Sequence, residues 1–246
     1  MQPRVSVIVP CRDDGAFLEQ AVASALAQSE KALEVVVVDD GSSDPETLRL
    51  FDRWSQPRTR LLRLPPSGVS GARNAGIAEA QGAYILPLDA DDRLEPAFAA
   101  RTAAVLDARP EVGIVETDAV FFGARSGPWP RPTFSMPQLL LGNTLSPCSL
   151  FRRSDFRLTH GYDPGMARGW EDFDFWLSLV ELGRVAARVP EALFHYRVRP
   201  GSRSALMTPL DWRRCYARIL RNHPRLFARH PQVLPRYLFR MLTKSR

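Results

Sequence analysis

The strongest restriction on the fold comes from an alternation of short apolar runs with stretches of helical periodicity. Residues 5–10 and 33–38 are apolar runs of strand length, and residues 17–28 between them carry apolar side chains at helical spacing. Strand, helix and strand in this order predict a βαβ unit. Four consecutive valines at 35–38 are typical of a parallel strand covered on both faces. The sequence therefore predicts an α/β fold with a mostly parallel sheet.

The alternation continues beyond this unit. The pattern predicts helices over residues 47–54, 70–80 and 95–108, and strands over residues 60–64 and 112–116. At 246 residues, 45% of them hydrophobic, the chain is long enough to bury the core of one domain. The proline-rich residues 127–132 are expected to form a loop inside that domain, which we place at residues 1–210, with its two halves at 1–122 and 123–210.

Acidic residues follow two of the predicted strands. Asp40 closes the second strand, and Asp89, Asp91 and Asp92 follow the apolar run 85–88. Ligands of open α/β sheets bind outside the carboxyl ends of the strands. A hard divalent cation prefers oxygen ligands and leaves positions free for substrate phosphates. These acids therefore predict an edge that binds a cation and phosphates, although an acidic triplet alone also suits a solvated turn.

A second candidate segment is GVSGARNAG at residues 68–76, which combines glycines, a helix start and Arg73. A helix N-terminus favours anions, and an arginine makes paired hydrogen bonds with phosphate or carboxylate. Arg73 is therefore a candidate phosphate ligand. An ion pair with a neighbouring aspartate such as Asp89 is the alternative, and both interpretations can hold together.

A third segment, GWEDFDFW at residues 169–176, places acids among aromatic side chains at the start of a predicted helix. Acids in a first turn are also what the helix dipole favours, so their position alone shows no function. In a partly apolar pocket, however, the pKa of a carboxylate rises toward a value useful for a general base. The segment therefore predicts a base on this helix.

The chain resembles the inverting family 2 glycosyltransferases of GT-A fold. Four segments between residues 4 and about 180 carry the resemblance in the family's order: VSVIVPCRDDGAFLEQAVASALAQS, LEVVVVDDGSSD, GVSGARNAGIAEAQGAYILPLDADD and GYDPGMARGWEDFDFWLSL. The implied fold is a Rossmann-like, mostly parallel sheet flanked by helices, here followed by C-terminal amphipathic helices. Residues 1–122 correspond to the nucleotide-sugar donor half and residues 123–210 to the acceptor half.

The resemblance implies a metal-dependent, hexosyltransferase-like enzyme of class EC 2.4 that uses Mn²⁺ or Mg²⁺. It would move a sugar, with a UDP-sugar favoured, from a nucleoside-diphosphate sugar to a hydroxyl of a glycan or lipid-linked acceptor in cell-surface polysaccharide biosynthesis. One alternative is a non-catalytic protein that binds a nucleotide sugar or a membrane surface. Another is a sugar nucleotidyltransferase, which is disfavoured because residues 10–15 hold acids where a basic glycine-rich loop is expected.

The resemblance also assigns residues. It implies that the nucleotide sugar is bound by Pro10, Arg12, Asp14, Asp40, Arg73, Asp89 and Asp91, and the metal by Asp89 and Asp91. For the third metal ligand the residues leave two alternatives: His195 supplies it from the other side of its strand, or the third ligand is absent. Asp172 is the implied general base, Glu171 orients the acceptor, and Trp170 either stacks on the acceptor sugar or belongs to the core. Two positions depart from the family: Arg12 stands where an aromatic residue is frequent, and Arg199 where a histidine near the metal is expected.

The positive charge of the chain is concentrated in the tail, residues 211–246. Of the net charge of +6, the tail carries +9, which leaves −3 for residues 1–210. Two apolar stripes after a Thr208 cap and a Pro209 start predict basic amphipathic helices. Such helices pack on the domain or contact anionic lipid. Because no nucleic-acid module accompanies the charge, we expect no nucleic-acid partner.

The sequence shows neither a membrane-spanning apolar run nor a signal-peptide pattern. We therefore expect a cytoplasmic protein, with a peripheral location on the inner face of the membrane as the alternative.

Overall fold

The centre of the fold is one mixed sheet. The structure is a computed structural model that describes residues 2–132, 134–203 and 205–243. Within these residues the sheet has nine strands in the order β3-β2-β1-β4-β8-β6-β9-β5, with β7 paired to β6. The strands are β1 Val5–Cys11, β2 Leu33–Asp40, β3 Thr59–Leu64, β4 Tyr84–Pro87, β5 Arg93–Leu94, β6 Val112–Gly123, β7 Gly127–Pro128, β8 Leu150–Arg152 and β9 Val185–Val198.

Helices cover both faces of this sheet. They are α1 Gly15–Leu26, α2 Pro45–Asp52, α3 Gly68–Glu79, α4 Phe98–Ala108, α5 Met136–Leu141, α6 Arg153–Phe156, α7 Glu171–Glu181, α8 Pro209–Asn222, α9 Pro224–Arg229 and α10 Leu234–Thr243, with 3₁₀ turns at Pro164–Met166 and Pro231–Val233. The predicted βαβ unit is confirmed as β1, α1 and β2. The helices expected over 47–54, 70–80 and 95–108 are confirmed as α2, α3 and α4.

The register of the parallel strands places their carboxyl ends at one edge. β1 pairs in parallel with both β2 and β4, with Val5 opposite Leu33 and Tyr84. Alternate residues of β1 point to opposite faces, so Val7 lies in the core under α1 while Ile8 lies in the core under α3 and α7. Both faces are buried, which explains why these strands are continuous apolar runs.

The strands of the predicted second half join the same sheet. β8 is antiparallel and lies between β4 and β6, and β9 runs parallel to β6 over most of its length. The loop predicted over 127–132 contains only the short strand β7, which pairs with the end of β6. The division at residue 122 stays a prediction, and the strands on its two sides share one layer.

The tail packs on the domain. The side chain of Thr208 accepts the Asp211 N–H at 3.2 Å while that of Asp211 accepts the Thr208 N–H at 3.0 Å, which is the capping box that starts α8. Tyr216 and Tyr237 are buried in the same apolar cluster as α7, so one side of α8 and of α10 packs on the domain. Residues 244–246 of the predicted tail lie outside the described part. None of the described helices has the length and apolar character needed to cross a membrane.

A buried histidine connects the tail to α7. His223 lies between two carboxylates, with Nδ1 3.1 Å from Glu181 Oε2 and Nε2 3.2 Å from Asp174 Oδ1. Burial acts to lower the pKa of His223, but the hydrogen bonds to Asp174 and Glu181 outweigh it and raise the pKa to about 9. The imidazolium is therefore the form that the fold stabilises at neutral pH.

This contact makes stability depend on pH. Because the pKa of His223 in the folded state lies above its ordinary value, its contribution is complete below pH about 6.5 and is lost as the pH rises through about 9. We expect the free energy of unfolding, measured with urea, to fall by about 1–3 kcal/mol more between pH 7 and 10 in wild type than in His223→Gln. His230→Gln is the control, and equal pH dependence in all three proteins would contradict the expectation.

Candidate functional site

A cleft lies at the carboxyl ends of β1, β2 and β4, where an α/β sheet is expected to bind ligands. Its cavity volume is about 740 Å³, in the range of small-molecule sites. The cleft is lined by the sequence-predicted residues Pro10, Arg12, Asp14, Asp40, Arg73, Asp89, Asp91, Trp170, Glu171 and Asp172. The structure thus brings the predicted nucleotide side and the predicted acceptor side to one cavity. His195 does not line it.

Two loops fix the nucleotide side of the cleft. Asp13 adopts φ 58°, and its Oδ1 accepts the backbone N–H groups of Ser43 at 2.6 Å and Asp44 at 2.7 Å, which joins the loop after β1 to the loop after β2. Asp40 is buried at the cleft wall, and its Oδ1 accepts from the N–H and the hydroxyl of Ser67 at 2.6 and 2.8 Å. Because these contacts orient the carboxylate, Asp40 is a fixed acceptor suited to an N–H group of a ligand.

The acids after β4 meet arginines. The Nε of Arg199 donates to Asp91 Oδ2 at 2.7 Å, and its Nη2 donates to Asp14 Oδ2 at 2.8 Å. On the other side of the acids, the Nη2 of Arg73 donates to Asp89 Oδ1 at 2.6 Å. Burial and the neighbouring Asp89 raise the pKa of Asp91 from its ordinary value, with Arg199 opposing the rise. Each predicted metal-binding aspartate therefore already carries a guanidinium partner.

The residues present do not fit a preformed metal site. Across the described ranges, no group of three or more His, Cys, Asp or Glu side chains is arranged to hold a metal ion. The predicted third ligand, His195, sits on β9 opposite Arg93 of β5, and its Nε2 lies 2.7 Å from Glu95 Oε1. This strand position turns the imidazole to Glu95 instead of the cleft. Arginine side chains therefore pair with Asp89 and Asp91 at the place where the sequence predicted a metal ion.

On the acceptor side, one buried arginine joins the two halves of the site. Arg73 is 1% exposed, and its Nη1 donates to Glu171 Oε1 at 2.8 Å while its Nη2 holds Asp89. Arg203 donates to the same Glu171 oxygen at 2.6 Å. Burial acts to raise the pKa of Glu171, but the charges of Arg203 and Arg73 outweigh it and lower the pKa. Glu171 is therefore held as a carboxylate.

The pKa of Asp172, the next residue, is shifted in the opposite direction. Burial, with the adjacent Glu171, raises the pKa of Asp172 to about 6, although Asn143 Nδ2 donates to its Oδ2 at 2.7 Å. Neighbouring acids whose pKa values are pushed apart are typical of acid–base chemistry, because one stays charged while the other can exchange a proton near neutral pH. Glu171 Oε2 is buried and lacks a hydrogen-bond partner among the described residues, so it can accept from a ligand hydroxyl. The pair can orient a hydroxyl and remove its proton.

We expect the carboxyl group of Asp172 to titrate near pH 6, about two units above an unperturbed aspartate, because of its burial beside Glu171. The measurement is an NMR pH titration of protein labelled with ¹³C at the aspartate carboxyl carbons. Asp172→Asn identifies the resonance by its disappearance. In Asn143→Ala the midpoint should move higher, since the side-chain hydrogen bond from Asn143 lowers this pKa. A midpoint near 4 in wild type would contradict the expectation.

Trp170 forms part of the cleft wall and of the aromatic core. It precedes α7 with φ 67°, a left-handed conformation that a bulky residue rarely adopts. Its indole packs edge-on against Phe173, Trp212 and Tyr216, with ring centroids 4.7–5.3 Å apart. These contacts hold the strained turn that presents Glu171 and Asp172, in keeping with the concentration of backbone strain at functional sites.

Three of the cleft residues that sequence reasoning missed contact acids inside the protein. Asn143, Arg131 and Arg203 line the cleft, and each contacts an acid: Asn143 reaches Asp172, Arg203 reaches Glu171, and Arg131 lies 3.1 Å from Glu116. All three come from irregular segments whose local pattern gives no indication of an acidic partner. The only sequence signal was the density of arginines around residues 197–203.

Comparison with known proteins gives consistent results. Residues 6–169 match the model of the family described as glycosyl transferase family 2. The chain is 32% identical over 227 residues to the succinoglycan biosynthesis protein ExoO of Rhizobium meliloti, covering 83% of this chain and 64% of that protein. It is also 32% identical over 212 residues to an uncharacterized protein of Sinorhizobium fredii, covering 82% of this chain and 23% of the relative. The chain therefore spans less than two thirds of these relatives.

Solved structures share the fold. Staphylococcus aureus TarS, residues 1–349, in complex with UDP-GlcNAc superposes with a TM-score of 0.77 at 21% identity, over 99% of this chain and 74% of that one. The mannosyltransferase PcManGT of Pyrobaculum calidifontis, in complex with GDP-Man and Mn²⁺, gives 0.67 at 19% identity, over 100% of this chain and 77% of that one. These likenesses confirm the predicted GT-A architecture, a largely parallel sheet flanked by helices.

Proposed function

Since the chain belongs to glycosyl transferase family 2, we propose that it is an inverting enzyme that transfers a sugar from a nucleoside-diphosphate sugar to an acceptor hydroxyl. The observation that carries this proposal is the pairing, in one cleft, of a fixed acidic edge at Asp40 and Asp89 with a carboxyl of raised pKa at Asp172. A protein that only binds nucleotides has no need for such a base. The transfer of a hexosyl group, class EC 2.4, is part of the proposal.

The chemistry is a single displacement. Asp172 takes the proton of the acceptor hydroxyl as that oxygen bonds to the anomeric carbon, and the bond from this carbon to the nucleoside diphosphate breaks on the opposite face. Inversion follows because one displacement occurs. Glu171, charged and with one oxygen that has no hydrogen-bond partner among the described residues, accepts a hydrogen bond from the acceptor and orients it. Activity falls as the pH drops through about 6, since protonated Asp172 is no base.

The donor side supports a uridine nucleotide. Asp40 is an oriented acceptor at the cleft wall, which suits the imino N–H of uracil. TarS forms a complex with UDP-GlcNAc and PcManGT forms one with GDP-Man, so both bases occur among the ligands of proteins of this fold. We favour UDP for this chain because Asp40 Oδ1 already accepts two hydrogen bonds from Ser67, and the other oxygen suits the single imino donor of uracil better than the paired N–H donors of guanine.

The acceptor side supports a glycan. The succinoglycan biosynthesis protein of R. meliloti, a relative of this chain, favours polysaccharide biosynthesis at the cell surface, with a glycan or lipid-linked acceptor.

The tail exposes arginines on α8, α9 and α10: Arg213, Arg214, Arg221, Arg225, Arg229 and Arg236. Basic residues near an anionic surface contribute about 1 kcal/mol each. This charge supports peripheral contact with the inner face of the membrane, where a lipid-linked acceptor is presented.

The test of the donor site is calorimetric titration with UDP, GDP, dTDP and CDP. We expect UDP to bind and Asp40→Asn to weaken binding at least about tenfold, the equivalent of one hydrogen bond to a charged group. Asp39→Asn is the matched control, because Asp39 lies next in the chain but bonds Ser42 and does not line the cleft. Hydrolysis or transfer of the matching sugar nucleotide then identifies the sugar. If no nucleotide binds with or without added metal, the proposal is wrong.

A further inference from the structure

We propose that the guanidinium group of Arg199 supplies the charge that binds the donor diphosphate, so that nucleotide binding by this chain does not require a divalent ion. The inference rests on the proposed function and concerns the same cleft. It starts from the mismatch between the two aspartates predicted to bind a metal, Asp89 and Asp91, and the arginine with which each of them is paired.

Arg199 is fixed at the cleft wall by several contacts. Its Nε and Nη2 donate to Asp91 and Asp14, and its guanidinium lies 5.2 Å from the ring centroid of Phe17. The side chain is 31% exposed and lines the cleft beside Asp89. The two aspartates engage one edge of the group, and Nη1 brings two further N–H donors. The positively charged guanidinium of Arg199 is therefore held in a fixed orientation at the cleft wall, beside the aspartates.

A metal ion would compete with this arrangement. To be bound by Asp91 it would have to displace the Nε of Arg199 or lie beside a fixed positive charge, and like charges at such distances repel. The second predicted ligand, Asp89, is held by Arg73, and the third, His195, is held at Glu95. The surroundings of Asp91 thus favour a guanidinium over a cation that needs several oxygen or nitrogen ligands.

A guanidinium can perform the charge role of a metal in this reaction. Its planar donors match phosphate oxygens in pairs, and it keeps its charge at every relevant pH. When the anomeric carbon–oxygen bond breaks, the bonding electrons go to the diphosphate oxygen and the acceptor proton goes to Asp172. Arg199 then stabilises the charge that develops on the departing diphosphate, as arginine clamps do in phosphoryl chemistry.

The experiment is calorimetric titration of UDP and GDP into wild type, Arg199→Met and Arg199→His, each in EDTA and in Mn²⁺. For wild type we expect dissociation constants within about threefold of each other in the two conditions. Arg199→Met should lose at least about tenfold in EDTA, in line with one charge-assisted contact. Arg199→His should bind the nucleotide only with Mn²⁺ and should bind Mn²⁺ itself by EPR, whereas wild type should not.

The control is Arg63→Met, which removes an arginine that is also paired with an aspartate, Asp52 at 2.8 Å, but does not line the cleft. It should bind nucleotide as wild type does. Thermal melts of each variant show that it is folded. Nucleotide binding by wild type only with Mn²⁺, or unchanged binding by Arg199→Met, would overturn the role of Arg199 and leave the proposed function standing. Absence of nucleotide binding by wild type in both conditions would instead overturn the proposed function, and this inference with it.

Discussion

Replacement of Asp172 by asparagine should reduce sugar transfer by about 10²–10⁴-fold while nucleotide binding stays within twofold of wild type. Asparagine keeps the size of the side chain and an oxygen that can accept from Asn143, but it cannot take a proton. Steady-state kinetics with the donor found by titration give kcat and kcat/KM, and calorimetry gives the nucleotide affinity. The loss should be in kcat, because the proton moves only as the acceptor attacks.

Asp174→Asn is the matched control for this substitution. Asp174 lies two residues further along α7, but its carboxylate bonds Asn222 and His223 and does not line the cleft. The control should lose stability and keep most of its transfer rate per folded molecule. If Asp172→Asn retains more than about a tenth of wild-type kcat, then Asp172 is not the base and its raised pKa is a consequence of burial alone.

Local patterns predicted the strands and helices of the first half of the chain well. The β1, α1 and β2 unit was predictable because both strands are apolar runs buried on both faces and α1 has one clear apolar stripe. Asp40 and Asp89 were predictable because strand order alone brings the ends of parallel strands to one edge. The same reasoning predicted the start of α8, where Thr208 and Asp211 form the cap.

The parts that sequence reasoning missed depend on contacts between distant residues. The strands β5 and β8 have two and three residues, too few to show a period, and their existence depends on pairing with β9, β4 and β6. Asn143 and Arg203 reach acids 29 and 32 residues away in the chain. The direction of His195 followed from the register of β9 against β5, which a local pattern does not specify.

The second large effect is expected at Arg73, the residue that joins Asp89 to Glu171. Arg73→Met should lower the free energy of unfolding by about 3–5 kcal/mol, because it leaves Glu171 buried at 2% exposure with one of its two cations removed. Transfer should also be lost, since Glu171 and Asp89 no longer hold a common position. Urea denaturation measures the first effect and kcat/KM the second.

Arg203→Met provides the matched comparison, because Arg203 donates to the same Glu171 oxygen from a position that is 44% exposed. Solvent replaces an exposed arginine more readily than a buried one, so this variant should lose no more than about 1 kcal/mol. The double variant Arg73→Met, Glu171→Gln should recover part of the stability lost in Arg73→Met, because it removes a buried charge that kept only its half-exposed partner Arg203. It should recover no transfer, since glutamine cannot supply the carboxylate that orients the acceptor. Equal losses of stability in Arg73→Met and Arg203→Met would mean that burial does not set how much each arginine stabilises Glu171. The connection between Asp89 and Glu171 would then have to depend on residues other than Arg73.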